Sequence, residues 1–364
     1  MLVMTMTNDF WRGKRVLITG HTGFKGSWLA LWLRQLGAEV SGLSLLPKSE
    51  PSLYNLLGGA AEGDDIVDIR DRAAVTHQVL RSKPQIVFHL AAQALVRASY
   101  RDPAETYDTN VSGTVNLLDA LRVCEDVRSI VVVTTDKVYH NPETGLAFME
   151  TDPLGGQDPY SASKAAAEIV TASYRSSFFA ARNIGIATAR AGNVIGGGDW
   201  AEERLIPDAV RAWQAGQSLY VRRPRAVRPW QHVLEPLNGY MSLAEHLWYA
   251  PVGVESYNFG PNHAEAASVG TVLKMAERHF GGGLVRLGDG TEGPHEAGYL
   301  VLDSGRARAD LGYVPRWRLN ETVRRTMEWY RAEREGRPAL ELCLADIRDF
   351  TNEAAGAQPL KAAG

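Results

Sequence analysis

Short runs of apolar, often β-branched residues recur along the first half of the chain, with amphipathic segments between them. The clearest run, at 129–135, has the composition of a strand buried on both faces of a parallel sheet. The pattern predicts six such strands, at 15–19, 39–44, 64–67, 85–90, 129–135 and 183–191. Helices are predicted between them, among others at 71–82, 102–123 and 160–181. This alternation predicts an α/β fold with a doubly wound parallel sheet.

A glycine-rich turn joins the first predicted strand to the first predicted helix. It reads Gly20-His-Thr-Gly-Phe-Lys-Gly26, in the strand–turn–helix context that a dinucleotide fingerprint requires. Gly20 permits the tight turn, Gly23 lets the backbone approach a pyrophosphate, and Gly26 lets the helix pack closely on the strand. The free N–H groups of the helix N-terminus then face the phosphates. The sequence therefore predicts a Rossmann-type dinucleotide site.

The second predicted strand lacks the acid that commonly binds the ribose diol of NAD. Gly42-Leu-Ser44-Leu-Leu-Pro47 stands there instead. Ser44 could bond the ribose, whereas Lys48 would favour a 2′-phosphate. This stretch leaves both NAD and NADP open.

The regular alternation of predicted strands and helices ends after Asn193. Three glycines at 196–198 mark a domain exit. Helices follow at 205–215, 233–247 and 321–335, the last with Asn320 as N-cap and Gly336 as its end, and a short strand is predicted at 256–260. We expect a dinucleotide-binding domain at 1–193, with returning segments near 233–260. A smaller α/β substrate domain would comprise 194–232 and 261–350, and 351–364 would form a flexible tail.

Polar chemistry begins where the fifth predicted strand ends. Thr135, Asp136 and Lys137 follow the apolar run, and the carboxyl ends of parallel strands border the ligand crevice. Tyr160 and Lys164 are four residues apart and share one face of the next helix. An ammonium group beside a phenol stabilises the phenolate and lowers its pKa. An ordinary amphipathic helix with an extended lysine gives the same spacing. The spacing indicates a catalytic pair only in combination with the glycine-rich turn upstream.

Composition and charge exclude several other classes of protein. The chain has 364 residues, 45% of them hydrophobic, and a formal net charge of -3, which gives no reason to expect a nucleic acid or an acidic membrane as partner. Its two cysteines, Cys124 and Cys343, imply neither a metal site nor a disulfide framework. No signal peptide and no apolar run of about 18 residues is seen, so we expect a cytoplasmic protein.

Arginines crowd into one short segment of the second half. They are Arg222, Arg223, Arg225 and Arg228. One interpretation is a solvated loop. The other is a clamp for the pyrophosphate of a second nucleotide ligand, because guanidinium groups match phosphate geometry, with Trp230 stacking on a base or a sugar.

Longer segments carry a closer resemblance, which spans about residues 10–330. They are the glycine-rich turn, Ala91-Ala-Gln93, Thr135-Asp136-Lys137, Ala191-Gly-Asn-Val-Ile-Gly-Gly-Gly-Asp-Trp200, Arg204-Leu-Ile-Pro-Asp208 and Arg228-Pro-Trp-Gln-His-Val-Leu-Glu-Pro236. In this order they resemble the extended short-chain dehydrogenase/reductase superfamily, and within it the CDP-glucose 4,6-dehydratases. The last three segments are long and unusual, and are far more specific than the glycine-rich turn.

The resemblance implies CDP-glucose as substrate, tightly held NAD⁺ as cofactor, and a role in deoxysugar synthesis for cell-surface polysaccharides. Tyr160 would remove the 4-hydroxyl proton while C4 gives hydride to NAD⁺, Thr135 would bond that oxygen, and Lys164 would lower the Tyr160 pKa and hold the nicotinamide ribose. Water would then leave from C5 and C6, and hydride would return to C6. Asp136 and Lys137 would be the acid/base pair for elimination. Glu replaces Lys137 in the related dTDP-glucose dehydratases, so the C5 base stays open.

The resemblance also implies the binding residues. The cofactor contacts would be Gly20, Thr22, Gly23, Phe24, Lys25, Gly26, Asp68, Ile69, Leu90, Ala91, Ala92, Gln93, Asn110, Thr134, Tyr160 and Lys164. The substrate contacts would be Asn193, Arg204, Arg228, His295 and Tyr299. Gly298 stands where the family often has a second histidine. The family also lacks the acid that commonly binds the NAD ribose at the end of the second strand.

Other functions remain compatible with parts of the pattern. A sugar-nucleotide 4-epimerase, or another oxidoreductase of the superfamily, would use Tyr160 and Lys164 but would not need Asp136 and Lys137. A cofactor-binding scaffold without catalysis is disfavoured by the intact Thr135, Tyr160 and Lys164 set. The helices at 102–123 and 160–181 predict a four-helix interface, and hence a homodimer or a pair of dimers.

Overall fold

Seven parallel strands form the central sheet of the computed structural model, which describes residues 8–59, 63–253, 255–293 and 297–356. The strands are β1 (Arg15–Thr19), β2 (Glu39–Ser44), β3 (Asp64–Ile66), β4 (Ile86–His89), β5 (Ser129–Val133), β6 (Gly185–Ala191) and the edge strand Ser256–Phe259. They lie in the order β3-β2-β1-β4-β5-β6-edge strand. The strand order switches between β1 and β4, because β2 and β3 lie on one side of this point and β4 to β6 on the other. A crevice at such a switch point is where ligands bind in this kind of fold.

Alternate residues of each strand pack into different cores, which explains why the strands are apolar throughout. Val131 and Val133 of β5 lie in the larger core, together with the helix Phe24–Gln35. Ile130 and Val132 point to the opposite face, into a core shared with the helix Gly113–Arg122. Helices therefore cover both faces of the sheet, and the predicted doubly wound α/β fold is confirmed.

The helices of the described chain follow the predicted pattern in the first half. They are Asn8–Trp11, Phe24–Gln35, Leu53–Leu56, Arg72–Ser82, Val96–Arg101, Pro103–Tyr107, Gly113–Arg122 and Pro159–Tyr174, then Leu205–Gln214, Leu234–Tyr249, Val269–Phe280, Gly305–Leu311, Leu319–Arg334 and Ala339–Gly356. The helix predicted at 102–123 is interrupted by a π-helical turn, Asp108–Ser112. None of the helices in these described ranges is long and apolar enough to cross a membrane.

The C-terminal part departs from the prediction at its last helices. The helix predicted at 321–335 begins at Leu319, so Asn320 lies inside it and is not its N-cap. A further helix, Ala339–Gly356, was not predicted and runs into the segment expected to be a flexible tail. Its apolar residues include Ile347 and Phe350, which are buried against the larger core. Because these residues recur at helical spacing, the sequence carried the signal for this helix.

Candidate active site

A large cleft, with a volume of about 1050 Å³, opens beyond the carboxyl ends of the central strands. Most of the predicted site residues line it. They are Gly20, Thr22, Gly23, Phe24, Lys25, Gly26, Asp68, Ile69, Leu90, Ala91, Ala92, Gln93, Thr134, Thr135, Lys137, Tyr160, Lys164, Asn193, Arg204 and Arg228. Asn110, Asp136 and Tyr299 are not among the lining residues, and His295 lies outside the described residues.

The glycine-rich turn has the geometry that a dinucleotide requires. Gly20 adopts φ +78°, and a Cβ there would lie 2.7 Å from the Ala91 nitrogen. A Cβ on Gly26 would lie 2.1 Å from the Gly20 carbonyl oxygen. The helix that follows begins at Phe24, and no side chain caps its N-terminus. Its free N–H groups are therefore available to phosphate oxygens, so the residues present fit a dinucleotide.

Asn110 supports the cleft wall from behind, where the sequence predicted a cofactor contact. Its Oδ1 accepts a hydrogen bond from the Gln93 backbone nitrogen at 2.8 Å, and its Nδ2 donates to the Gln93 carbonyl at 3.0 Å. Nδ2 also donates to Ser163 Oγ at 2.9 Å. Asn110 lies in the π-helical turn, a distortion that is common at functional sites. It therefore fixes the Leu90–Gln93 segment against the helix Pro159–Tyr174.

The far end of the cleft is lined by polar groups after β2 and β3. Thr22 Oγ1 lies 2.8 Å from Ser44 Oγ and donates to the Leu45 carbonyl at 2.7 Å. Asp68 pairs with Arg70 at 2.6 Å, and this hydrogen bonding lowers the pKa of the Asp68 carboxyl. A Cβ on Gly42 would lie 2.4 Å from the buried ring of His21. The ring occupies the space beside β2, so glycine is required at position 42.

Thr135, Asp136 and Lys137 form a tight cluster on a 3₁₀ turn directly after β5. Lys137 Nζ lies 2.9 Å from Asp136 Oδ1, and Thr135 Oγ1 donates to the same oxygen at 3.0 Å. Asp136 is fully buried, and its Oδ2 has no hydrogen-bond partner among the described residues. Lys137 lines the cleft, whereas Asp136 lies behind it. The two side chains together form an ion pair with one member facing the cleft.

Tyr160 and Lys164 lie on the helix Pro159–Tyr174, which Asp158 caps by accepting a hydrogen bond from the Ser161 nitrogen at 2.9 Å. Burial raises the pKa of Tyr160 to about 12, although a hydrogen bond from Thr135 and the charge of Arg204 oppose the rise. The resemblance implied that Lys164 would lower this pKa. Arg204 is the cation among the causes of the shift, and Lys164 is not one of them, so a phenolate near neutral pH needs a further positive charge at the site.

Lys25 brings another cation to the same end of the cleft. Its Nζ lies 3.5 Å from the Tyr240 hydroxyl and 5.8 Å from the centre of that ring. Burial, with the charge of Arg204 as a second cause, lowers the pKa of Lys25 to about 7. The charge on Lys25 is therefore sensitive to its surroundings near neutral pH.

The side of the cleft that carries Arg204 is built on the segment after β6. Arg204 pairs with Asp199 at 2.9 Å, and the Asp199 carbonyl accepts a hydrogen bond from the Tyr330 hydroxyl at 2.5 Å. A Cβ on Gly197 would lie 2.0 Å from the Trp329 ring. The helix Leu319–Arg334 thus holds the segment that carries Arg204.

The arginine-rich segment contributes to the cleft at three positions. Arg222, Arg223 and Arg228 line it, and Trp230 lies beside them, whereas Arg225 is exposed. The solvated-loop interpretation therefore fits only Arg225. The Tyr299 backbone pairs with Val227, and the Tyr299 carbonyl accepts a hydrogen bond from Asn141 at 3.0 Å.

Sequence reasoning missed a buried ion pair directly behind Lys164. Arg190 on β6 and Glu168 on the helix approach to 2.8 Å. The available signal was the spacing, because Glu168 follows Lys164 by the same four residues that separate Lys164 from Tyr160.

Comparison with known proteins agrees with this geometry. Residues 17–326 match the family model described as GDP-mannose 4,6 dehydratase. The chain is 45% identical over 350 residues to a CDP-glucose 4,6-dehydratase of Salmonella typhimurium, covering 94% of this chain and 97% of that one. Among solved structures, it is similar to a UDP-glucose 4-epimerase from Brucella ovis in complex with NAD, with a TM-score of 0.72 at 25% identity, covering 85% of this chain and 96% of that one.

A dTDP-glucose 4,6-dehydratase from Bacillus anthracis in complex with NAD shares the fold, with a TM-score of 0.72 at 22% identity, covering 89% of this chain and 99% of that one. The family match covers most of the cleft-lining residues, among them the glycine-rich turn, the Thr135–Lys137 cluster and the Tyr160/Lys164 pair. The predicted membership in the extended short-chain dehydrogenase/reductase superfamily is confirmed. The chain belongs to the GDP-mannose 4,6 dehydratase family, in which its 45% identical relative is a CDP-glucose 4,6-dehydratase.

Proposed function

We propose that this protein is an NAD-dependent hydro-lyase that converts CDP-glucose to CDP-4-keto-6-deoxyglucose. The observation that carries the proposal is the Asp136–Lys137 pair at 2.9 Å, in the same cleft wall as Thr135 and Tyr160. A dehydratase needs this extra acid/base pair, whereas an epimerase does not. The 45% identity to a CDP-glucose 4,6-dehydratase supports the choice of nucleotide.

The glycine-rich turn would hold NAD by its pyrophosphate, with Asp68 and Ser44 toward the adenosine end and Lys164 toward the nicotinamide ribose. When bound, NAD supplies reversible hydride transfer, which leaves the overall reaction without net redox change. The cavity of about 1050 Å³ has room for a dinucleotide and a nucleotide sugar together. On the substrate side, we assign the pyrophosphate to Arg204, Arg228 and neighbouring arginines, since guanidinium groups bind phosphate oxygens in pairs.

Thr135 has one hydroxyl proton and two neighbours that can accept it. It donates to Asp136 Oδ1 at 3.0 Å, and it is also within hydrogen-bonding reach of Tyr160. A hydroxyl donates one hydrogen bond at a time. We infer that Thr135 donates to the sugar oxygen or to the phenolate when negative charge develops there, which stabilises that charge.

Tyr160 Oη would accept the proton of the sugar 4-hydroxyl during oxidation. The resulting ketone makes the C5 proton acidic, so one member of the Asp136–Lys137 pair can remove it. The other member would protonate the C6 oxygen as water leaves. Because Asp136 Oδ1 and Lys137 Nζ are hydrogen-bonded, a proton can move between them.

The direct test is incubation of the purified protein with CDP-glucose, without added NAD⁺, followed by mass spectrometry. Loss of one water supports the dehydratase and a retained cofactor together. A product of unchanged mass would indicate the epimerase. Turnover of UDP-, dTDP- or GDP-glucose but not of CDP-glucose would support the dehydratase reaction and reject cytosine as the nucleotide base of the substrate. The absence of product with all four nucleotides, with or without NAD⁺, would reject the proposal.

We further propose a homodimer, or a pair of dimers, acting in the cytoplasm. The two helices expected at the interface expose apolar residues: Tyr107 is 40% exposed and Ile169 is 62% exposed. Pairing these helices between two copies would bury that surface. Sedimentation should give a dimer or larger species at micromolar concentration, and a monomer would contradict the proposal. We also propose a division into a cofactor domain (1–193, with returning segments near 233–260) and a substrate domain (194–232 and 261–350).

A further inference from the structure

A third polar residue continues the helix face that carries Tyr160 and Lys164. Glu168 lies one turn beyond Lys164 and is 5% exposed. Residues at four-residue spacing stack on successive turns of a helix. Glu168 does not line the cleft, so it does not touch the substrate directly. It faces the interior side of the catalytic helix.

Both oxygens of the Glu168 carboxylate accept two hydrogen bonds each. Its Oε1 accepts hydrogen bonds from Thr134 Oγ1 at 2.5 Å and Arg190 Nε at 3.0 Å. Its Oε2 accepts from Thr188 Oγ1 at 2.6 Å and Arg190 Nη2 at 2.8 Å. Arg190 is 4% exposed. This is a bidentate ion pair shielded from water, with a fixed geometry.

The same pair connects the segments that carry the other catalytic groups. Thr134 directly precedes Thr135, so Glu168 anchors the end of β5 to the helix. Arg190 Nη1 donates to the Tyr139 hydroxyl at 2.9 Å, and Tyr139 follows Lys137 by two residues. The Tyr139 hydroxyl in turn donates to Asn258 Oδ1 at 2.7 Å. Helix, strand end and catalytic turn are therefore joined through one buried carboxylate.

We propose that Glu168, held by Arg190, is a positioning residue that keeps the proton on Lys164, so that Tyr160 is the member of the pair that releases its proton. This inference rests on the proposed function of Tyr160 as the base. Lys164 Nζ donates to the Val133 carbonyl at 3.0 Å and is buried in the cleft wall. A neutral Lys164 would leave the phenolate without its nearest helix-borne cation.

The electrostatics of Lys164 agree with this role. Burial lowers the pKa of Lys164 to about 8, and the charge of Glu168 opposes that decrease. The charged or titratable groups that face Tyr160 and Lys164 come from several elements: Asp158 and Glu168 on the helix, Asp136 and Lys137 after β5, His89 of β4, Lys25, Arg190, Arg204 and Tyr240. Glu168 is the carboxylate that acts on Lys164 from one turn away.

Tyrosinate absorbance of the NAD-bound protein, titrated with pH, tests the proposal without any substrate. The signal of Tyr160 is the difference between the protein and its Y160F variant. In Glu168→Gln, which keeps the shape but removes the charge, the midpoint of this signal should rise by on the order of one pH unit. Glu168→Asp, which keeps the charge, should restore most of the shift. Glu245→Gln is the matched control: Glu245 is also buried, but its charge is not among the causes of the Tyr160 or Lys164 pKa shifts.

An unchanged midpoint in folded Glu168→Gln would overturn the proposal and leave the ion pair a purely structural role. If this variant does not fold, because Arg190 is left unpaired, the double variant E168Q/R190M removes both charges and commonly preserves the fold. Its midpoint must again lie above that of the unmodified protein. Because the titration contains no sugar nucleotide, its result is independent of whether CDP-glucose is turned over.

Discussion

Lys137 Nζ and Asp136 Oδ1 lie 2.9 Å apart, yet only Lys137 reaches the cleft surface. The carboxylate is fully buried behind it, also bonded to Thr135. The lysine is thus the member of the pair on the cleft surface, and the carboxylate behind it is placed to hold it and to exchange a proton with it. In the proposed mechanism, elimination depends on this pair, whereas oxidation depends on Tyr160.

Replacing Lys137 with alanine should therefore affect one half-reaction much more than the other. Elimination should slow by about 10²–10⁴-fold, the usual contribution of a positioned acid/base group. The step that reduces NAD⁺ at C4 should be largely preserved, since it depends on Tyr160. Rapid-mixing measurement of NADH absorbance, beside mass-spectrometric detection of water loss, separates the two. The exposed Lys274→Ala serves as control, and equal loss of both steps would contradict separate roles.

Replacing Tyr160 with phenylalanine should remove oxidation and spare cofactor binding. In the proposed mechanism the phenolate oxygen accepts the proton of the sugar 4-hydroxyl, whereas the ring packs in the cleft wall with 7% exposure. We expect at least about a 10³-fold loss of turnover, with NAD affinity changed little. Steady-state rates and calorimetric NAD titration measure the two effects. Tyr249→Phe, at a position 62% exposed, is the matched control. Near-normal turnover in Y160F would rule out the phenolate.

The placement of most site residues around one cleft was predictable, because these residues are near one another in sequence. The glycine-rich turn, Thr135–Lys137 and the Tyr160/Lys164 spacing each depend on one strand end or one helix face. The Glu168–Arg190 pair was not predicted, because its partners lie on different elements and meet only when β6 packs beside β5. Asn110 was predicted as a cofactor contact, but its side chain bonds to Gln93 and Ser163 behind the cleft wall.

The contrast between local sequence patterns and contacts made only in the folded chain also explains which parts of the fold were predicted. Strands buried on both faces give continuous apolar runs, which the sequence shows directly. The helix Ala339–Gly356 was missed although Ile347 and Phe350 recur at helical spacing, because the end of the chain was interpreted from its composition. Phe350 packs edge-on against Trp317 at 5.0 Å between ring centres, a contact that only the tertiary structure reveals.

Gly26→Ala should abolish cofactor binding through a steric clash with the backbone. Its Cβ would lie 2.1 Å from the Gly20 carbonyl oxygen, which cannot move without opening the turn. NAD affinity should fall at least about 100-fold, because the pyrophosphate cradle is lost. Calorimetric titration with NAD measures this. Gly155→Ala, whose Cβ would make an ordinary 3.5 Å contact with His140, should bind normally. Unchanged affinity in Gly26→Ala would show that the turn is more adaptable than its geometry indicates.

Glu235 should make the stability of the protein depend on pH. Its Oε1 accepts hydrogen bonds from the Arg316 and Trp317 backbone nitrogens at 2.9 Å and 2.7 Å, while Oε2 is buried with no partner among the described residues. Burial raises the pKa of this carboxyl to about 7 in the folded protein from 4.5. The folded state therefore binds the proton more tightly than the unfolded state. Stability from this group is present in full below about pH 4.5 and is lost as pH rises through about 7.

Glu235→Gln removes the titration and keeps an oxygen acceptor for Arg316 and Trp317. Between pH 5 and pH 8 the free energy of unfolding of the unmodified protein should fall relative to that of Glu235→Gln by roughly 2–3 kcal/mol. Denaturant unfolding at both pH values measures the difference. Burial also raises the pKa of Asp346 to about 7, but this residue is present in both proteins, so the difference isolates Glu235. Glu341→Gln, at an exposed position of the last helix, should follow the unmodified protein. Parallel pH profiles for the Glu235 variant and the unmodified protein would mean that Glu235 is ionised when buried.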